Sequence, residues 1–209
     1  MTTYLKTFSS AIIVLFTSCA SRYHVINPPT LDFQSQSGDS SVLVEYRTNL
    51  LKGKYAKRET KSDVYLIAVK ITNNSSREII FRDNIKIFSG EKEVTPIPLK
   101  TFYSATQQNQ DKSLKFLFIT PLNVYTFSET TNGGEITSRK NKFYPIGLII
   151  GPALAFGNWA AAKTANKKFK KELDQNEILE KTIPSGHTEY GLIAVRDISS
   201  SNLTFKKIF

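Results

Sequence analysis

Cysteine occurs once in this 209-residue chain, tryptophan once and histidine twice. A single cysteine excludes any internal disulfide. His24 falls in a polar N-terminal stretch and His187 follows a glycine in a turn, so neither offers the ligand spacing of a metal site. The chain has no G-x-S-x-G elbow, no H-E-x-x-H pair, no P-loop and no dinucleotide glycine pattern. Its 18 carboxylates are scattered, and Glu172, Asp174, Glu177 and Glu180 read as the acidic end of a helix and its solvated continuation. No catalytic residue, metal or cofactor is expected. The chain reads as non-enzymatic.

Acidic charge is the scarcer sign. Lys and Arg number 28, which gives a formal charge of +10. The basic residues are spread along the chain, so composition alone points only weakly to anionic lipid, acidic polysaccharide or nucleic acid.

What is present begins at the N-terminus. Lys6 supplies a thin positive region, Ala11 to Phe16 is an unbroken apolar core, and small residues precede the one cysteine. That is the pattern of a removable export signal, and it is far shorter than the roughly 20 apolar residues of a span. Phe16-Thr17-Ser18-Cys19 resembles the lipobox of bacterial lipoproteins, with Leu15 one place early. The resemblance implies a signal peptide at 1–18 and lipidation of Cys19, with a diacylglycerol thioether and a further N-terminal acyl chain such as palmitate. The plainer reading is an ordinary signal peptide that happens to end at Cys19. An exported address argues against nucleic acid. Ala20-Ser21-Arg22 lacks the aspartate that resembles an inner-membrane retention signal, which tips the address towards the cell outer membrane.

Residues 19–38 are polar and hold Asn27-Pro28-Pro29, so they read as a tether that can contribute a first short strand at Leu31 to Phe33. The segment 39–209 then reads as one domain. Ser41 to Tyr46 is a strand, and Arg47 to Lys61, rich in Lys, is a loop or ragged hairpin. Asp63 to Thr72 is the best strand: Tyr65, Ile67, Val69 and Ile71 line one face while Val64, Leu66 and Ala68 line the other, as a central strand requires. Asn73-Asn74-Ser75-Ser76 is a turn. Strands follow at Glu78 to Arg82, Ile85 to Phe88 and Glu93 to Ile97, with a short helix carrying Leu99, Phe102 and Tyr103. Leu114, Phe116 and Phe118 alternate as in a strand, Leu122 to Phe127 continues beyond Pro121, and Thr131 to Gly134 turns the chain into the polar stretch 135–142. Ile183-Pro184-Ser185-Gly186 is a turn, Thr188 to Arg196 a strand, and Asn202 to Phe209 a closing one.

Seven to nine short strands with few helical patterns predict a mainly β fold, an immunoglobulin-like antiparallel β-sandwich with an inserted α-helical segment near 143–176. Ile71-Thr72-Asn73-Asn74-Ser75, Ile183-Pro184-Ser185-Gly186 and Gly191-Leu192-Ile193 together are similar to immunoglobulin-like domains of unknown function in bacterial envelope lipoproteins. That resemblance covers the β portion and carries no catalytic residue.

The insertion is unusual. Phe143 to Ala162 holds no charge over 20 residues and contains Gly147 and Gly151 at the G-x-x-x-G spacing of close helix approach. Pro145, Pro152, Gly157 and Asn158 interrupt it, and a single crossing would part strands that must pair, so a span is disfavoured. From Trp159 a helix is expected, with Trp159, Ala162, Asn166, Phe169 and Leu173 as a narrow seam and the lysines opposite. The candidate contact residues are Ile146, Leu148, Ile149 and Ile150 in the apolar run, with Trp159, Lys163, Lys167 and Lys170 in the helix. They suit an interfacial membrane contact. Packing of the seam on the sandwich with a solvated lysine face, or a partner helix, remain as alternatives. The expected function is a lipid-anchored binding or scaffold module that meets membrane through acylated Cys19 and an envelope protein or glycan through its domain. A carbohydrate- or small-ligand-binding module using Tyr125, Phe127 or Trp159 is the second reading.

Overall fold

The computed structural model describes residues 20–33, 35–132, 135–198 and 202–208. The expected signal peptide, Cys19 and the Gly133-Gly134 part of the expected turn lie outside them. The chain divides into two compact units, a larger one of residues 21–108 and 164–209 and a smaller one that takes in Ala20 and residues 109–163.

The larger unit is organised on the strand Val64–Asn73 (β3). Its neighbours are Val42–Arg47 (β2) and Thr188–Arg196 (β11), and the five-stranded antiparallel sheet is completed by Ser35–Gly38 (β1) and Pro96–Ile97 (β7) in the order β1-β2-β3-β11-β7. The pairing Gly191 to Val69 and Ile193 to Ile67 sets the register. Central placement follows from the two apolar faces of β3, because a strand with no polar side must be covered twice.

Two cores result. On one face Ile67, Val69 and Ile71 pack with Val42, Val44, Tyr46, Ile193 and Val195 against Ile85, Ile87, Val94, Leu203 and Phe205. The last five belong to a second antiparallel sheet of Leu203–Lys207 (β12), Ile85–Ser89 (β5) and Lys92–Val94 (β6). A two-stranded pair, Ile79–Ile80 (β4) with Thr182–Ile183 (β10), flanks it in sequence. On the other face Val64, Leu66, Ala68, Leu192 and Ala194 meet Tyr55, Leu99, Phe102, Phe169 and Leu173, which come from helices. These are Gly53–Lys61 (α1), Leu99–Thr106 (α3) and the C-terminal part of Gly147–Asn176 (α4), while Phe81–Asn84 (α2) is a single turn.

The fold is therefore sheet-rich but mixed, with about as much helix as strand, where a mainly β chain was expected. Part of the difference is α1. Residues 53–61 read as a lysine-rich loop, yet Tyr55 and Glu59 stand four apart and both are buried, while Lys54, Lys57 and Lys61 face water or the boundary. Two inward residues at helical spacing outweigh a polar composition.

Residues 20–33 also depart from the expected free tether. The buried Glu172 carboxylate accepts the Ile26 and Asn27 N–H groups at 2.6 and 2.8 Å through Oε1. Ser21 N–H donates to Gln108 Oε1 at 3.0 Å, and Gln108 Nε2 donates to Ser21 O at 2.7 Å. The Tyr23 ring lies 4.9 Å from Phe169 and 5.5 Å from Tyr55. Burial, and then the neighbouring Glu172 carboxylate, raises the Tyr23 hydroxyl above its ordinary value. A polar, proline-bearing composition left Tyr23, Ile26 and Pro28 looking incidental, and they are the residues that fasten the segment.

In the smaller unit, Val124–Asn132 (β8) and Glu135–Tyr144 (β9) form a two-stranded antiparallel ribbon. The segment 114–120, expected as a strand, instead forms the end of a 3-10 helix, Asp111–Ile119, and its C-cap Thr120. Its buried residues are Ser113 and Phe116, spaced by three as that helix requires, while Leu114 and Phe118 are exposed. Residues 135–142, read as polar coil, supply one edge of the ribbon. Helix α4 begins at Gly147, twelve residues before Trp159, and carries Pro152 inside it.

Candidate functional site

The close approach implied by Gly147 and Gly151 is real, and it is made within the smaller unit. A Cβ at Gly147 would stand 2.2 Å from Ile119 O and 2.7 Å from Leu122 O, and one at Gly151 would stand 2.7 Å from Thr120 Oγ1. The Gly147 N–H donates to Leu122 O at 2.9 Å. The glycines therefore seat the end of the 3-10 segment on α4, where only a bare backbone fits.

With that edge occupied, Gly147, Gly151, Ala155 and Ala162 form the buried line of α4 in this unit. The opposite line, Ile149, Ala153, Phe156 and Ala160, is exposed. Ile149 is 76% exposed and Phe118, on the 3-10 segment, 88%. On the ribbon, Tyr125 and Phe143 are cross-strand partners with rings 5.3 Å apart, and Phe127 two residues along is 68% exposed. Lys140 and Lys142 alternate to the other face.

Among the described residues, 14 large hydrophobic side chains are exposed and 12 of them lie in 109–163; only Val25 and Ile208 do not. With aromatic side chains of about 150–250 Å² each, the exposed apolar area of residues 114–156 sums to the order of 1,000 Å². A two-stranded ribbon alone is marginal in water and gains stability when its apolar face is covered.

The residues singled out in the sequence fall into three groups. Leu148, Ile149 and Ile150 are exposed, and Ile146 is half-buried. Trp159 is half-buried, with Lys163 Nζ 4.7 Å from its ring centroid. Lys167 and Lys170 are exposed and belong to the larger unit, where Lys170 pairs with Asp174 at 2.5 Å. The seam from Ala162 to Leu173 is buried. Phe118 and Leu122 were not singled out, because both were read only as parts of strands, at 114–120 and 122–127.

At the start of the described chain the Ala20 N–H donates to Asn158 Oδ1 at 2.9 Å, and Asn158 Nδ2 donates to Leu154 O at 2.9 Å. The residue after Cys19 is thus pinned to α4 within the smaller unit.

The larger unit offers an open cleft of about 440 Å³ lined by Lys92, Glu93, Val94, Thr95, Ile97, Thr101, Arg196 and Asp197. It holds no aromatic platform and a loose Lys92–Asp197 pair at 3.9 Å. His24 and His187 are both exposed. Among the described residues, no three His, Cys, Asp or Glu side chains converge as a metal would need, and no helix is long and apolar enough to cross a membrane. No family model, curated protein or solved structure matches this chain.

Proposed function

We propose that this chain is a lipid-anchored, non-enzymatic module of the bacterial cell envelope, held through Cys19 and working through the exposed apolar surface of residues 109–163. We further read the two antiparallel sheets of the larger unit as an immunoglobulin-like sandwich with a helical layer added on one face. The shared core of the sheets supports that reading, as does the meeting of the two turns that carry the family resemblance: Ser185 Oγ donates to Ser75 O at 2.5 Å. The observation that carries the functional reading is the concentration of exposed large apolar side chains in one unit, 12 of the 14 among the described residues, since a sequence that hides its apolar residues well elsewhere has no folding reason to show them there.

Metabolic labelling with radioactive palmitate tests the anchor: the chain should carry label, and Cys19→Ser should carry none. Photo-crosslinkers at Phe127 and Ile149 should capture envelope lipid or protein in cells, while one at Ser76 in the larger unit should not. Equal capture at all three positions sinks the surface.

Exposed Tyr125 and Phe127 favour one second reading, a glycan-binding ribbon, since sugar rings stack on such side chains. Tyr125→Ala with Phe127→Ala should then abolish retention on envelope polysaccharide. Unchanged retention removes it.

A further inference from the structure

We infer that the exposed apolar surface of residues 109–163 lies in the headgroup region of the same leaflet that receives the acyl chains of Cys19. The inference rests on the anchor proposed above and names what the surface meets.

The ground is the length of chain available between lipid and fold. A flexible linker of n residues spans roughly 5–6 Å × √n, and lipid-anchored domains with long linkers can stand clear of the bilayer. Here the first described residue after Cys19 is already bound: Ala20 N–H to Asn158 Oδ1 at 2.9 Å, with Asn158 itself tied to Leu154 O. Consecutive Cα atoms are about 3.8 Å apart. The acylated residue is therefore one peptide away from a residue fixed on α4, and acyl chains in the leaflet leave that helix no distance to retreat.

Asn158 stands across the helix from Ile149 and Phe156 at 100° per residue. The Ala20 contact is therefore on the face of α4 away from its exposed line, about one helix diameter from it. A helix about 10–12 Å across with its side chains, lying in an interface that buries an apolar face by about 5–10 Å, accommodates both. The composition agrees with a bilayer surface. Ile149, Phe156 and Phe118 are aliphatic or aromatic without polar tips, while Tyr125, Tyr144 and Trp159 suit the headgroup level. Exposed Lys112, Lys115 and Lys163 complement anionic lipid. None of the described helices crosses a membrane, so the contact is one of lying on the leaflet.

The test uses the full chain, matured and reconstituted in vesicles of phosphatidylethanolamine and phosphatidylglycerol. Because acylation consumes the one native cysteine, cysteines introduced singly at Phe118, Ile149 and Phe156 each report one site with an environment-sensitive dye, and Ser76 in the larger unit serves as the control. The expected result is blue-shifted emission at the three sites and strong loss of intensity to spin-labelled lipid, with water-like emission and little loss at Ser76. Water-like emission at all four overturns the inference. So does shielding from aqueous iodide without quenching by spin-labelled lipid, which would mean that protein covers the surface. Intact mass separates the two layers of the argument. A mature mass without acyl chains overturns the anchor and the inference with it, whereas an acylated mass with water-like dyes overturns the inference alone.

Discussion

Three residues show how much a single group can decide here. Glu59 is buried against β3 and accepts the Leu66 N–H at 2.7 Å. Burial pushes its carboxyl from 4.5 up to about 7, the hydrogen bond only partly opposing it. The protonated form is the one the fold favours. Its contribution to stability is therefore complete below the unfolded value near 4.5, falls as pH rises from there to about 7 and levels off above, a change on the order of 3 kcal/mol. Glu59→Gln keeps the acceptor and removes the titration, so urea unfolding at pH 5 and pH 8 should differ less in the variant than in the parent. Asn73 is wholly buried. It gives both Nδ2 hydrogens to carbonyls, Arg77 O at 2.8 Å and Ile183 O at 3.0 Å, while its Oδ1 accepts from Ser75. Asn73→Asp turns that donor into an anion facing two carbonyls, a loss of about 2–4 kcal/mol at neutral pH. The loss should shrink in acid, where a protonated carboxyl can donate again, and the same urea series would show it. Gly147 has backbone oxygens where a Cβ would go. Gly147→Ala should destabilise the smaller unit by roughly 1–3 kcal/mol, seen as earlier proteolysis within 109–163 while the Thr188–Arg196 strand stays protected from hydrogen exchange.

At the scale of the element, what could be read in advance depended on whether burial left a period in the sequence. β3 and β11 were legible because apolar residues fill both of their faces over Val64 to Val69 and Gly191 to Val195. The seam from Ala162 to Leu173 was legible because its 3-4 spacing is interrupted by lysines on the other side. Helix α1 was not, since its two inward residues are a tyrosine and a glutamate. The 3-10 segment was not, because Leu114, Phe116 and Phe118 fit period two as well as Ser113 and Phe116 fit period three. The apolar run at 143–162 did not say which of its residues turn inward: the glycines face the chain's own 116–122 backbone, and the outward residues include Ile149 and Phe156. The N-terminal segment was hidden most completely, as its fastening depends on Glu172, some 145 residues away. Glu172→Ala would leave the Ile26 and Asn27 N–H groups without their acceptor, at a cost of about 1–3 kcal/mol. Hydrogen exchange at Ile26 and Asn27 should rise by one to two orders of magnitude while exchange in β3 is unchanged. If both rise together, the segment is part of the cooperative core rather than a strap upon it.

At the scale of the whole molecule, the two units divide the labour of the sequence. The larger hides its apolar residues in two cores about one sheet, and the smaller displays them. Deleting the display without touching the cores is therefore feasible: Phe118→Ser, Ile149→Ser and Phe156→Ser change exposed side chains only. The triple variant should keep the parent's thermal midpoint to within about 2 °C, as surface substitutions usually do. A large fall in the midpoint would mean that these side chains support the fold. The hydrogen bond from Ala20 to Asn158 has one further consequence. A protein with slack in its leash sweeps a volume and can search the space above its membrane. One fastened a single residue beyond its lipid holds its smaller unit at the leaflet, so under the proposed anchor that unit explores by lateral diffusion alone. Whatever it meets must arrive at the same plane, and its effective concentration is then set by area, in copies per square micrometre of leaflet.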